Sequence, residues 1–286
     1  MSIKKTKANK KKWLIFTINK TSVIGAVLAI IIILIAIFAP VIATFDPLKQ
    51  DIFNALSPMS RIHLFGTDDY GRDIFSRIIW GSRISILIGI TSVLFGMAIG
   101  TCIGITAGYF GGKIESILMR FTDIMMSFPD LILAIIISAV LGPSMINIII
   151  TIGIARTPGF ARLVHGIVLS IKEREYVEAA KSLGASNGRI MFMHILPNFI
   201  GQLLVAGTLW IGDAIRLEAN LAFVGLGVPP PFPTWGGIAR DGINLLMNSP
   251  WISLFAGLSI FITILSFNMF CDGLRDIIDP KLRGSM

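Results

Sequence analysis

The sequence predicts an all-α membrane protein with six transmembrane helices. Of its 286 residues, 54% are hydrophobic and only 15% are charged, and the mean hydropathy is +0.78. A soluble domain carries about 25% charged residues, and a water-soluble globule of this size could not bury so much apolar surface. Several uncharged runs reach the length of about 20 residues that a bilayer span requires. Soluble enzymes, secreted disulfide scaffolds and disordered tails are therefore excluded.

The net charge of +8 is concentrated at the N-terminus. The lysines that precede the first acidic residue, Asp46, are Lys4, Lys5, Lys7, Lys10, Lys11, Lys12 and Lys20. Residues 1–20 are predicted to form a basic cytoplasmic tail, attracted to anionic lipid headgroups. A nucleic-acid-binding arm is the alternative. Cys102 and Cys271 have no partner at metal or disulfide spacing, so they indicate no redox compartment.

The first two spans follow from long uncharged runs. Residues 21–45 carry no charge and are predicted to form the first helix. A secretory signal peptide is the alternative, but its apolar core is only about 7–15 residues long. The second span is predicted at residues 84–112, where glycine recurs at every fourth position, as Gly96, Gly100, Gly104 and Gly108. Such a stripe lets another helix approach closely.

The third and fourth spans follow from topology. The next uncharged stretch is interrupted by Gly142-Pro143, a helix-breaking pair. A single span here would place the basic segment at residues 156–198 outside, against the positive-inside rule. Two spans, at about 121–141 and 144–164, return that segment to the cytoplasm. The charges then expected near cytoplasmic helix ends, where water is close, are Asp123, Arg156 and Arg162.

The last two spans are predicted at about residues 198–221 and 251–271, after Pro197 and Pro250 respectively. Residues 275–286 then form a cytoplasmic tail, marked as internal by Arg275, Lys281 and Arg283. This arrangement gives a core domain at residues 84–274 and places both termini in the cytoplasm.

Two segments are predicted on the outer side. Residues 46–83 include residues 71–83, whose apolar face lies opposite arginine and aspartate side chains and suits a helix in the membrane interface. Residues 223–250 contain the run Pro229-Pro230-Pro231-Phe232-Pro233. This run is too kinked for a span, and a re-entrant or capping loop is expected.

The cytoplasmic loop at residues 165–198 is predicted to present two short helices to a partner. Residues 170–184 have a small apolar face, and Gly184 can adopt the left-handed conformation that ends a helix. A capped second helix follows at residues 189–196 and is expected to end at Pro197. Taken alone, the pattern also fits an ordinary amphipathic connector.

Several motifs point to one family. The loop resembles the EAA loop of bacterial ABC-importer permeases, in the pattern Glu178-Ala179-Ala180-x3-Gly184-x9-His194-x-Leu196-Pro197. A second segment resembles the Gly-Thr-Asp-x-x-Gly-Arg-Asp motif of the dipeptide/oligopeptide/nickel permease family, in Gly66-Thr67-Asp68-Asp69-Tyr70-Gly71-Arg72-Asp73. The proline-rich outer loop and Asp272-Gly-Leu-Arg275-Asp276 are also similar to that family. The likeness covers residues 13–284 and is greatest to the C-type subunit of the paired permeases.

The resemblance implies an ABC type I importer permease of the bacterial inner membrane. It implies a homologous second permease subunit, two ATPase subunits that hold ATP and Mg²⁺, and an extracytoplasmic solute-binding protein as partners. The chain itself carries no phosphate-binding Gly-x4-Gly-Lys-Ser/Thr loop and is expected to hold no cofactor, no metal and no catalytic residue. ATPase coupling would fall to the EAA residues quoted above. The implied solute is a di- or oligopeptide, with nickel or a metal chelate as the alternative.

Three charges lie within the predicted fifth span, where charges are costly and usually face water or a partner. They are Asp213, Arg216 and Glu218. We hypothesise that they line the translocation path near its outer gate. A structural ion pair facing the second permease is the alternative. These charges also keep an ion-coupled secondary transporter as a rival class, although no internal repeat is evident.

Overall fold

The computed structural model describes residues 20–278. Most of the predicted basic tail, and residues 279–286 of the predicted C-terminal tail, lie outside the described residues. Within the described range the chain is helical and forms no strand. The helices are α1 (Lys20–Ile37), α2 (Ala39–Ile42), α3 (Ile74–Phe110), α4 (Gly112–Met126), α5 (Asp130–Leu141), α6 (Met145–Ile171), α7 (Glu175–Ser182), α8 (Asn187–Arg189), α9 (Leu196–Phe223), α10 (Trp235–Ile243) and α11 (Trp251–Ile278). A 3₁₀ turn occupies Ile52–Asn54, and a π-helical turn at Ile190–Ile195 joins α8 to α9.

Four helices are long and apolar enough to cross a membrane. They are α1, α3, the continuous helix Asn187–Phe223 and α11. The α4–α5 pair also qualifies by length and composition, but its two halves are bent by 95°. At 1.5 Å per residue, the 27 residues of α6 extend about 40 Å, more than the hydrocarbon thickness. The six-span count remains a prediction, because α6 carries internal arginines and α4–α5 is bent.

The span predicted at residues 121–141 is not a single helix. α4 ends at Met126 and α5 begins at Asp130, with Pro129 at the N-cap of α5. A proline has no N–H to continue the hydrogen-bond ladder, and it disfavours helical geometry in the residue before it. Pro129 therefore breaks the helix within the segment that topology alone predicts as one span.

The predicted interfacial helix at residues 71–83 is also wrong. α3 runs without a break from Ile74 to Phe110, so this segment forms its first turns. Ile74 and Ile78 are buried in a core cluster with Trp235. Trp235 also donates a hydrogen bond from Nε1 to the Ile78 carbonyl at 3.0 Å. The apolar face that was expected to meet lipid packs instead against α10, which lies within the predicted capping loop.

The glycine stripe of α3 faces α6. A Cβ on Gly96, Gly100 or Gly104 would lie 2.5 Å from an atom of α6, and one on Gly108 would lie 2.8 Å from Val168. Real Cβ atoms do not approach other heavy atoms so closely, so these positions have no room for a side chain. The two helices form a closely packed central pair through which the ends of the bundle are joined.

The bundle has two distinct ends. Residues 43–73 and α10 lie together at one end, which we call the cap end. The segment between α6 and α9, residues 172–195, lies at the other end, which we call the loop end. α3 and α6 both run between them, and every candidate functional residue lies at one of these ends or on the helices between.

Candidate functional site

At the loop end, α7 ends in a Schellman motif. The N–H of Ala185 donates to the Ala180 carbonyl at 3.1 Å, and the N–H of Gly184 donates to the Lys181 carbonyl at 3.0 Å. Gly184 has φ of +77°, and no atom lies within 4 Å of the position of a Cβ there. The backbone conformation, rather than lack of space, therefore favours glycine at this turn.

The predicted helix at residues 170–184 is shorter than expected, because α6 extends to Ile171 and α7 starts only at Glu175. Its apolar face is divided. Val177 is buried and fixes α7 to the core, whereas Leu183 is 87% exposed. Glu178 and Ala179 are exposed as well, and Ala180 is half-buried. α7 thus presents a carboxylate and an apolar side chain outward, next to the glycine turn.

The second half of the EAA pattern lies on a continuous helix. Pro197 does not end a helix as predicted, because the helix runs on through it from Asn187 to Phe223, with a π-helical turn at Ile190–Ile195 directly before α9. The preceding π-helical turn buries Ile190 and Ile195. His194 and Leu196 are half-buried on the same turn, and Pro197 is exposed. This half of the pattern attaches the loop to the core, while α7 carries the exposed half.

The loop is hydrogen-bonded at two points to the last turn of α3. Lys172 Nζ donates to the Gly108 carbonyl at 3.0 Å. Tyr109 Oη donates to Asn187 Oδ1 at 3.0 Å. Sequence reasoning missed these contacts, because each joins residues more than sixty positions apart. They give the loop a direct connection to the glycine-packed helix pair.

The three charges of the fifth span do not form one cluster. Arg216 Nη2 donates to Asp213 Oδ1 at 3.0 Å, and the two side chains are 56% and 37% exposed. Glu218 is fully buried beside Thr234, and neither of its carboxylate oxygens makes a hydrogen bond of acceptable geometry. Asp213 and Arg216 therefore face away from the body of this chain, whereas Glu218 faces inward toward α10.

An acid–base seam, which the sequence did not reveal, joins the bent α4–α5 pair to α6. Every acid is on α4–α5 and every base is on α6, in the pairs Glu115–His165, Asp123–Arg162 and Asp130–Arg156. The nitrogen–oxygen distance is 2.8 Å in the first pair and 3.0 Å in the last. Arg156 was expected near a cytoplasmic helix end, but it lies close to the middle of α6 with its side chain 10% exposed.

At the cap end, the Gly66–Asp73 motif forms a compact turn before α3. Asp73 caps α3 by accepting a hydrogen bond from the Ser76 N–H at 2.8 Å, and its other oxygen contacts His63 Nδ1 at 2.9 Å. Gly71 has φ of +70°, and a Cβ there would lie 1.7 Å from the Asp51 carbonyl oxygen. Any side chain at this position would displace residues 51–54, so glycine is required.

Long apolar helices, a glycine-packed central pair and an exposed helical loop tied to that pair define a multi-pass membrane transport subunit. The chain belongs to the family of binding-protein-dependent transport system inner membrane components, whose model matches residues 100–284. The N-terminal transmembrane domain of oligopeptide transport permease C matches residues 10–58. The resemblance found in the sequence is confirmed.

Curated relatives cover almost the whole chain. The dipeptide transport system permease protein DppC of Alkalihalophilus pseudofirmus is 44% identical over 93% of this chain and 87% of its own length. The oligopeptide transport system permease protein OppC of Bacillus subtilis is 42% identical over 94% of this chain and 88% of its own length. Family membership makes the chain a transport component and not an enzyme.

Solved structures show the same fold. An inward-facing structure of the MetNI methionine ABC transporter has a TM-score of 0.59 at 19% identity, over 72% of this chain and 98% of that chain. At this level of identity the likeness is one of fold alone.

Within residues 20–278, no group of three or more His, Cys, Asp or Glu side chains is placed to hold a metal ion.

Proposed function

We propose that the chain is a permease subunit of an ATP-driven importer of di- or oligopeptides. Relatives named for dipeptide, oligopeptide and D,D-dipeptide transport are 40–44% identical over 92–94% of the chain. These names favour a peptide over nickel or a metal chelate as the solute. Family membership likewise favours an ATP-driven importer over an ion-coupled secondary transporter.

The loop end is proposed to receive the ATPase subunits. Glu178, Ala179 and Leu183 are exposed on α7 and can enter a groove of a partner, where the carboxylate can meet a basic residue. ATP and Mg²⁺ are held by the two ATPase subunits, and this chain contributes no group to hydrolysis. The observation that carries this proposal is that the loop is hydrogen-bonded to the last turn of α3 at two points, Lys172 and Asn187.

Coupling then follows from rigid packing. Closure of the ATPases displaces α7, and the contacts of Lys172 and Tyr109 carry that displacement to α3. Because α3 and α6 are packed without side chains between them, they move as one body. Two discrete arrangements of such a body, related by the ATPase cycle, produce alternating access.

The proposed topology has six spans, with α4–α5 as a bent third span and α6 as the fourth. Both termini and the loop end face the cytoplasm, and the cap end faces outward, toward the binding protein. The positive charge of residues 156–198 supports this sidedness. The proposed location is the bacterial inner membrane, which the family description, an inner membrane component, supports.

The Asp213–Arg216 pair is proposed to line the translocation path that this chain forms with the second permease. Its exposure supports this role, because an ion pair open on the side of a membrane helix requires water or a partner. A structural pair facing the second permease is the alternative. Glu218 does not share this exposure, and its burial beside Thr234 supports a role in holding α10.

Reconstitution tests the proposed function directly. The chain, its second permease, the ATPases and a peptide-loaded binding protein are placed in liposomes, and uptake of labelled dipeptide is measured with and without ATP. We expect uptake only with ATP and all four components. Uptake by the permeases alone would identify a secondary carrier instead.

The variant Glu178→Lys, which reverses an exposed charge, should assemble but transport poorly. Lys181→Gln on the same helix serves as its control.

A further inference from the structure

A chain of charges leads from the Gly66–Asp73 motif to α10. Asp68 Oδ2 contacts Arg72 Nε at 2.7 Å and Arg77 Nη1 at 3.4 Å. Arg77 also contacts Asp241, with 3.6 Å between its Nη2 and Asp241 Oδ2. The side chains of Asp68 and Arg77 are 5% and 6% exposed, whereas that of Asp241 is 45% exposed. Arg77 is thus enclosed on the motif side and faces a half-exposed carboxylate on the α10 side.

The Gly66–Asp73 motif, at one end of this series of charged contacts, is rigid. Asp68 Oδ1 accepts hydrogen bonds from the backbone N–H groups of Tyr70 and Arg72, both at 2.9 Å. The N–H of Leu56 donates to the Asp68 carbonyl at 2.9 Å, which joins the motif to the preceding turn. Residues 54–73 therefore move with the start of α3, which carries Arg77.

α10 contacts three of the long helices. Trp235 donates to the Ile78 carbonyl of α3, and a Cβ on Gly236 would lie 2.6 Å from Ala219 of α9. Ser253 of α11 donates to the Ala239 carbonyl at 3.0 Å. A displacement of α10 is consequently felt by every one of these helices. The Arg77–Asp241 contact adds the motif to the same group.

This contact is poorly suited to a purely stabilising role. Its distance of 3.6 Å is longer than a charge-assisted hydrogen bond, which is about 2.7–2.9 Å. The carboxylate of Asp241 is 45% exposed, and solvent screens an exposed charge more strongly than a buried one. Burial also raises the pKa of Asp241, while the Arg77 guanidinium acts in the opposite direction. A half-buried carboxylate held at a distance from a fixed arginine can shift without breaking the fold.

We propose that Arg77 and Asp241 are positioning residues that make the motif and α10 respond as one body when the extracytoplasmic binding protein docks at the cap end. This inference rests on the proposed function. Docking displaces the cap end, and the Arg77–Asp241 contact, which we call the bridge, transmits the displacement to the first turn of α3. From there the glycine-packed pair carries it to the loop end, where the ATPases are proposed to bind.

The test uses the complete complex in lipid nanodiscs, with ATP hydrolysis measured with and without peptide-loaded binding protein. Asp241→Asn should keep the basal rate of ATP hydrolysis, but the stimulation of that rate by the binding protein should be about fivefold smaller. A factor of about five is the lower end of ordinary coupling between sites. Asp241→Glu, which retains the charge, should restore the stimulation. Asp46→Asn is the matched control. It removes one exposed carboxylate at the same end, whose Oδ1 accepts a hydrogen bond from the nearby Leu48 N–H at 2.9 Å.

Three results would overturn the inference. Normal stimulation of Asp241→Asn would show that the bridge transmits nothing. A parallel fall of basal and stimulated rates, or an equal loss in Asp46→Asn, would show a structural or general charge effect instead. If no loaded binding protein stimulated ATP hydrolysis by the wild-type complex, the proposed function would be wrong. The role of the bridge, which depends on that function, would then be wrong as well.

Discussion

Replacing Gly100 by alanine should separate the central helices and destabilise the protein. The new Cβ would lie 2.5 Å from Phe160 Cβ and 2.6 Å from the Thr157 carbonyl oxygen, and the second of these is a backbone atom that no rotamer change can move. Ordinary contact requires about 3.5 Å or more, so α3 must withdraw from α6 by about 1 Å. Overpacking of this kind costs about 1–3 kcal/mol.

A second glycine isolates that cost. Gly257 lies within α11, and no atom lies within 4 Å of the position of its Cβ. Both substitutions gain the same helix preference of alanine over glycine, about 0.5–1 kcal/mol. The difference between Gly100→Ala and Gly257→Ala therefore reports packing alone.

Thermal unfolding of the assembled complex in detergent measures the difference. At roughly 2–4 °C per kcal/mol, Gly100→Ala should unfold about 2–12 °C below Gly257→Ala. Peptide transport should fall in the first variant and persist in the second, since the pair no longer moves as one body. Equal unfolding temperatures and equal transport would refute the view that the stripe is a contact without room for side chains.

Three further predictions concern topology, coupling and the intramembrane pair. A cysteine at Ser186 should react with an impermeant thiol reagent only from the cytoplasm and one at Pro231 only from outside; reaction from one side for both would remove the six-span topology. Gly184→Asp should insert normally but lose most transport. Gly184 has φ of +77°, a conformation that strains any side chain by about 1 kcal/mol or more. Normal import by this variant would rule out the loop as the coupling element. Asp213→Asn and Arg216→Gln should each lose transport in normally assembled complexes, whereas failed assembly that the double variant rescues would favour the structural pair.

Local patterns predicted much of the fold, and contacts between distant residues did not follow from them. The glycine stripe was visible because its four-residue spacing is a property of one helix. Gly184 was visible because a helix C-terminus has a local signature. The break at Pro129 was missed because the uncharged run after it outweighed one proline. Pro197 does not end the helix as predicted, because a π-helical turn at Ile190–Ile195, which has no local signature in the sequence, leads directly into α9.

The candidate sites show the same division. Asp213 and Arg216 form an ion pair that local spacing explains, because they are three residues apart on one helix. Their different surroundings from Glu218 could not be predicted, since α10 covers only one side of α9. The seam between α4–α5 and α6 depends on how far the chain bends at Pro129, and no periodicity in the sequence encodes that angle.

The pairs of the seam differ in how easily they can separate. Asp123 and Arg162 are both more than half exposed, and separating such a pair costs little. Arg156 is almost enclosed, and its separation from Asp130 would leave the guanidinium in a poorly hydrated place, which is costly. α4 can therefore part from α6 at Asp123 more easily than α5 can at Asp130, so that the bend at Pro129 divides a loosely held segment from a tightly held one.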